Sequence, residues 1–144
     1  RSWGVLAPKF QILGSDVAGI VDSLGPDCTE FEVGDEVVGD ILYRWGGFAE
    51  YVTAPEAGLH RKPDWMSFEE AATLPQAGLV ALQGLRYLGG VHEGEQLLVN
   101  GGGGGAGTFA IQIGKSIGAE VTGDTVVLPG VMSRKKQIIP NLAV

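Results

Sequence analysis

A single cysteine, Cys28, among 144 residues leaves no partner for a disulfide within the chain, and such sparse cysteine usage fits a reducing compartment. The chain has only two histidines, His60 and His92, each in a loop-like context (Leu-His-Arg-Lys-Pro and Gly-Val-His-Glu-Gly) with no cysteine nearby, so a nitrogen–sulfur metal site is short of donors. Basic residues number 10 against 17 acidic ones, and the net charge of −7 argues against a nucleic-acid or anionic-membrane surface. No apolar run approaches the roughly 18 residues that cross a bilayer, and no signal-peptide pattern opens the chain. A soluble cytoplasmic protein is therefore expected. Initiator Met is missing as well: Arg1-Ser2-Trp3-Gly4 has the character of mid-loop sequence, which predicts a fragment or a processed chain. There are no internal repeats.

Glycine, by contrast, is abundant: 24 of 144 residues, about twice its usual share, so turns are dense. Residues 1–63 have strand-like stretches bounded by turns. One runs over 16–23 and ends at Gly25-Pro26, a second comes after the turn Gly34-Asp35, and a third is predicted over 48–53 after Gly46-Gly47. Several short strands imply a small barrel or sandwich. The pattern changes at Pro63. Ser67, with Glu70 three residues later, forms a capping box that opens a helix over 68–73. Pro75 is expected to interrupt it, with a second helical stretch over 77–88 that ends at Gly89-Gly90.

The densest glycine run carries chemistry. Residues 96–100 (Gln-Leu-Leu-Val-Asn) predict a short buried strand, and Gly101 to Gly105, Ala106 and Gly107 come next. Gly102, Gly104 and Gly107 fit G-x-G-x-x-G. That pattern places glycine at a tight turn, where backbone approaches a pyrophosphate, and where helix meets strand. The next helix, over 106–117, offers free N–H groups and a positive dipole end to phosphates. Phe109, Ile113 and Ile117 share one face of it and predict its packing side. Gly118 ends the helix, and a second strand is expected over 119–122. The pyrophosphate of a dinucleotide is the ligand this arrangement suits, with Asn100, Gly102, Gly104, Gly105, Ala106 and Gly107 as its neighbours. Asp124 lies 22 residues after Gly102, near the distance at which a carboxylate meets the adenosine ribose and selects NAD(H).

Five segments in order carry a family resemblance: Leu13-Gly14-Ser15-Asp16-Val17-Ala18-Gly19, Gly34-Asp35-Glu36-Val37, Gly46-Gly47-Phe48-Ala49-Glu50-Tyr51-Val52, Leu74-Pro75-Gln76-Ala77-Gly78 and the glycine loop. Together, over about residues 3–123, the chain resembles the medium-chain dehydrogenase/reductases, and among them the zinc-independent, quinone-oxidoreductase-like branch. The resemblance implies an α/β plus β architecture: a partial GroES-like β-barrel catalytic domain over 1–74, then the first βαβ unit of a Rossmann domain over 75–123. The substrate cleft and cofactor site of such proteins lie between the two domains. Residues 124–144 form a tail unlike the family, with a basic cluster Ser133-Arg134-Lys135-Lys136-Gln137 expected to be solvated. Relative to the family the chain is expected to be truncated at both ends. With the later βα units replaced by the tail, residues 97–99 and Val121 are expected to lose much of their cover, leaving the chain marginal or dependent on self-association (a homodimer for instance) or on missing segments.

The resemblance also implies the chemistry. Where zinc members have Gly-His-Glu, this chain has Gly14-Ser15-Asp16, and a serine hydroxyl is a poor zinc ligand beside imidazole or thiolate. No metal is expected. Hydride would pass between a nicotinamide cofactor and a small carbonyl or quinone substrate, with orientation and hydrogen-bond donors supplying catalysis. Candidate donors are Tyr43, Ser15 and Asp16, and the resemblance places Gln76 near the nicotinamide end of the cofactor. By family NADP(H) is expected first and NAD(H), through Asp124, second. The alternative to an enzyme is a non-catalytic remnant or interaction module with weak or no nucleotide binding.

Overall fold

The computed structural model describes residues 11–124. The chain divides after Gln76 into two units, 1–76 and 77–144.

In the first unit, strands β1 (Asp16–Ile20), β2 (Glu36–Asp40) and β3 (Leu59–Arg61) form an antiparallel sheet in the order β1-β2-β3. Ala18 lies opposite Val38, and Val38 opposite His60. β1 and β2 meet through the turn at Gly34-Asp35, where the Val21 amide donates to the Asp35 carbonyl and the Gly34 amide to the Val21 carbonyl. Phe31, Val37 and Ile41 are buried beside the sheet. A buried lysine joins β3 to the next helix. The Lys62 ammonium donates to the carbonyls of Pro63 and Met66, pairs with Glu36 at 2.8 Å, and lies over the Phe68 ring. Helix α1 (Phe68–Ala71) opens with the capping box predicted from Ser67 and Glu70: the Ser67 hydroxyl accepts from the Glu70 amide, and the Glu70 carboxylate accepts from the Ser67 amide.

Three local expectations are corrected by the structure. Residues 48–53 form no strand, although their pattern alternates. Among described residues only the amides of Gly47 and Phe48 reach back, to the carbonyls of Gly14 and Leu13, and Phe48 and Tyr51 are 79% and 76% exposed. An extended segment without a continuous ladder partner gains too little to be a strand. His60 belongs to β3 rather than to a loop, with its side chain exposed. Pro75 interrupts nothing: it is the first residue of helix α2 (Pro75–Arg86), where a missing N–H costs nothing and its fixed φ suits the helix. α1 correspondingly ends at Ala71, short of residue 73.

The second unit holds α2 from Ala77 onward, a 3₁₀ turn at Tyr87–Gly89, then β4 (Gln96–Asn100), α3 (Gly105–Ile117) and β5 (Glu120–Asp124). β4 and β5 pair in parallel, with Leu97 opposite Val121 and Asn100 opposite Asp124. Leu97 and Val99 are the largest fully buried side chains and cluster with Ala81 and Leu85 of α2 and Ala110 of α3. The expected stripping of residues 97–99 is thus not found: Leu97 and Val99 are buried in one core with α2 and α3, Leu98 is buried outside that cluster, and Val121 is partly covered. The packing face of α3 agrees with expectation at Phe109 and Ile113 and differs at Ile117. Ala110 and Gly114 are its buried residues, Phe109 and Ile113 flank the core, and Ile117 is exposed. Close approach explains this. A Cβ at Gly114 would stand 2.6 Å from a Leu97 methyl and 3.0 Å from one of Val121, so the small residues face the sheet. The basic cluster at 133–137 and the predicted tail lie outside the described residues, save for Asp124, which closes β5.

Candidate functional site

Each unit brings together part of the predicted set. In the second unit the glycine loop is tied at both ends. The Gly104 amide donates to the Gly101 carbonyl, and the Gly102 amide donates to the Asp124 carbonyl at 2.7 Å, fixing the loop over the carboxyl end of β5. Gly101 has φ +78°, the left-handed conformation that turns the chain out of β4. Matching G-x-G-x-x-G from Gly102 passes over this residue; its signal is its place as the first glycine after the strand.

Gly107 supplies the close approach. A Cβ there would lie 2.2 Å from the Gly101 oxygen and 2.8 Å from the Gly102 Cα, both backbone atoms that cannot move aside. Gly102 is similarly hemmed, with Ile111 Cδ1 at 3.0 Å and the Gly123 Cα at 3.3 Å from a notional Cβ. Thus α3 begins directly against the loop, in the register the motif predicts.

The N-terminus of α3 is open to an anion. Gly104 is its N-cap and has no side chain to cap it. The first helical bond runs from the Thr108 amide to the Gly104 carbonyl, so the amides of Gly105, Ala106 and Gly107 precede the ladder. No acidic residue occupies the first turn, and Lys115 stands in the last, as the helix dipole favours. Thr108 Oγ1 is committed to the Gly105 carbonyl. Asn100 and Asp124, paired in register, are the last residues of the two parallel strands, the end at which such sheets bind ligands. The residues present therefore fit a dinucleotide pyrophosphate: a glycine loop packed directly against the helix, uncapped amides and a positive dipole end.

In the first unit Ser15, Asp16 and Gln76 come together. Ser15 is buried at the entrance to β1, and Gly14 (φ +94°) and Gly47 let the 46–48 loop lie against it: a Cβ on Gly14 would stand 2.8 Å from the Phe48 amide nitrogen. The Asp16 carboxylate accepts from the Gln76 backbone amide at 2.6 Å. Leu74, just before α2, has no side-chain acceptor, so Asp16 satisfies a first-turn amide as an N-cap side chain would, from a strand 60 residues away. The Ser15 hydroxyl lies 3.2 Å from both Asp16 Oδ2 and Gln76 Oε1. All three residues line a broad open depression, about 1530 Å³, that also takes in Trp45, Phe48 and Cys28. Tyr43 is not brought in: it is 94% exposed and outside that lining.

Further along the depression, Glu56 gathers three donors. One carboxylate oxygen accepts from the Cys28 thiol and from the amides of Thr29 and Glu30. The bond to Glu56 holds the Cys28 thiol above its ordinary pKa, with desolvation adding to it, while the same donors hold Glu56 below the usual carboxylate range. Among the described residues no three His, Cys, Asp or Glu side chains converge as metal ligands, and no helix is long and apolar enough to cross a membrane.

Residues 2–64 match the alcohol dehydrogenase GroES-like domain. Over 110 residues the chain is 34% identical to a quinone oxidoreductase of Pongo abelii, covering 76% of this chain and 33% of the relative. Over this span the chain is similar to the quinone-oxidoreductase-like medium-chain dehydrogenase/reductases. It is also 36% identical over 116 residues to a trans-enoyl reductase of Aspergillus terreus, covering 76% of this chain and 33% of that protein. Among solved structures, Escherichia coli quinone oxidoreductase in complex with NADPH superposes with a TM-score of 0.72 at 31% identity, over 77% of this chain and 34% of that one. The chain spans about a third of the length of these relatives. The sheet of the first unit lies in the GroES-like match, and β4-α3-β5 is consistent with a partial Rossmann unit.

Proposed function

We propose that this chain provides the pyrophosphate cradle and part of the substrate wall of an NAD(P)H-dependent oxidoreductase that reduces quinones or conjugated enones without zinc. The observation that carries the reading is the contact at Gly107, where α3 abuts the loop so closely that only glycine fits and leaves the first-turn amides uncapped. Gly105, Ala106 and Gly107 would hold the pyrophosphate through backbone N–H groups, with Gly107 letting α3 pack directly against the loop and Gly102 letting the loop pack against Ile111 and Gly123. When bound, the nicotinamide supplies or accepts the hydride.

Zinc independence is supported by the donor set: at the Ser15 position a hydroxyl shares its one hydrogen between Asp16 and Gln76, and both histidines are exposed. With no Lewis acid, the acceptor oxygen has to be polarised by hydrogen-bond donors. NADP(H) is favoured because a solved relative is in complex with NADPH. One observation favours NAD(H) instead: Asp124 closes β5 at the strand end where an acidic residue meets the adenosine ribose and disfavours a 2′-phosphate. Quinone-dependent oxidation of NADPH and NADH by the full chain, monitored by absorbance with duroquinone as acceptor, tests the reading. Turnover with either cofactor supports it, the faster one naming the preference. Binding of cofactor without turnover by either leaves a nucleotide-binding module and refutes the enzyme.

A further inference from the structure

The Ser15–Asp16–Gln76 cluster has one polar group that its internal bonds do not consume. The Gln76 backbone amide is taken by Asp16, and the Gln76 side-chain oxygen faces the Ser15 hydroxyl. The side-chain nitrogen, Nε2, has no protein partner among the described residues. No buried side-chain nitrogen or oxygen in the described residues lacks a hydrogen bond, so Nε2 reaches solvent. Gln76 lines the open depression of the first unit, so that is the space its donor can serve.

The rest of the cluster holds this amide in place. Asp16 fixes the backbone at the start of α2, and Ser15, 6% exposed, pins the oxygen end of the side chain. A glutamine free at its tip would cost rotamer entropy on engaging a ligand; one pinned at its backbone and its oxygen has given up much of that freedom already. The cluster offers neutral N–H donors beside apolar walls from Val17 and Phe48, which suits an uncharged oxygen acceptor better than a carboxylate or phosphate. We infer that Gln76 Nε2 is the hydrogen-bond donor to the carbonyl oxygen of a quinone or enone bound in this depression, with Ser15 and Asp16 as its positioning residues. The inference rests on the reductase reading for its substrate class. It moves Gln76 from the cofactor side, where the family resemblance put it, to the substrate side.

The test reads the amide itself. In the isotope-labelled full chain, the Gln76 side-chain amide resonance, identified by its loss in Gln76→Met, is monitored as duroquinone is added. The expected result is a saturable shift of that resonance, with quinone affinity falling about tenfold in Gln76→Met, a donor loss of roughly 1.4 kcal/mol, and NADPH affinity unchanged within twofold. Ser15→Ala, which frees the pinned oxygen, weakens quinone binding severalfold while leaving the Gln76 resonance responsive. An unmoved Gln76 resonance at high quinone, or equal quinone affinity in Gln76→Met, overturns the inference. Failure of the reductase reading has a different signature: the Gln76 resonance shifts with quinone, but neither NADPH nor NADH binds.

Discussion

Replacing Gly107 by alanine adds one methyl group where α3 leaves no room for it. The new carbon would lie 2.2 Å from the Gly101 oxygen, 2.8 Å from the Gly102 Cα and 2.9 Å from the Gly101 carbonyl carbon. A relaxed carbon–oxygen contact needs about 3.3 Å, so helix and loop must separate by about 1 Å. Overpacking of this kind costs about 1–3 kcal/mol, and the better helix propensity of alanine gives back about 0.8–1.0. The net expectation is a loss of up to about 2 kcal/mol. Gly78 provides the control. It lies in α2, in the same unit, and a Cβ there meets nothing within 4 Å. Gly78→Ala should therefore stabilise by about 0.8–1.0 kcal/mol through propensity alone. The same chemical change thus has opposite signs at two helical sites. Melts monitored by circular dichroism should show Gly107→Ala below the wild type and Gly78→Ala above it, with each kcal/mol worth roughly 4–8 °C for a unit of this size. Displacing the cradle by about 1 Å should also weaken NADPH binding at least tenfold in Gly107→Ala only. A Gly107→Ala protein that melts with Gly78→Ala, and binds NADPH as the wild type does, would refute the close-approach argument.

Three further outcomes are expected in the first unit. Lys62, with its side chain 4% exposed, is held by two carbonyls and Glu36; Lys62→Met should lower stability by about 2–3 kcal/mol in urea melts, because the carbonyls of Pro63 and Met66 lose their donor. Equal midpoints would show that the ammonium contributes nothing. Asp35 accepts from the Glu32 amide and pairs with Arg61, which lowers its pKa. Its folded pKa lies below its unfolded one, so its contribution is present above the ordinary carboxylate range and is lost as pH falls through the folded value. Asp35→Asn should flatten the acid limb of the stability curve below about pH 4, whereas an unchanged limb would remove Asp35 from the account. Finally, Glu56→Ala takes away the acceptor that raises the Cys28 thiol, so Cys28 should react severalfold faster with a thiol-specific reagent near pH 8, where unchanged kinetics would contradict the assigned cause.

What could be read from the sequence was local. The Ser67–Glu70 capping box, the strand at residues 96–100 and the glycine loop are each specified by neighbours within a few positions, and all three are found. Alternation over residues 48–53 misleads because a strand needs a partner, and among the described residues only Gly47 and Phe48 reach one. Pro75 is ambiguous for a related reason: a proline ends one helix and opens another with equal ease, and only the chain around it decides. On α3 the large residues dominate the pattern, and Phe109 and Ile113 do pack against the core, but the residues it buries are Ala110 and Gly114, and the smallness of Gly114 is what admits Leu97 and Val121. The tie between Asp16 and Gln76 spans 60 residues. Both residues stand out in the sequence, one as a candidate donor and one beside the cofactor, but their mutual bond has no signature in spacing.

The central claim is that the 101–107 loop and the first turn of α3 bind the pyrophosphate of a nicotinamide dinucleotide. Titrating the full chain with NADPH while monitoring nucleotide fluorescence tests it directly, with inorganic pyrophosphate as competitor. The account predicts saturable binding below millimolar cofactor that pyrophosphate displaces and Gly107→Ala weakens at least tenfold. No saturable binding of NADPH or NADH at millimolar concentration would contradict it.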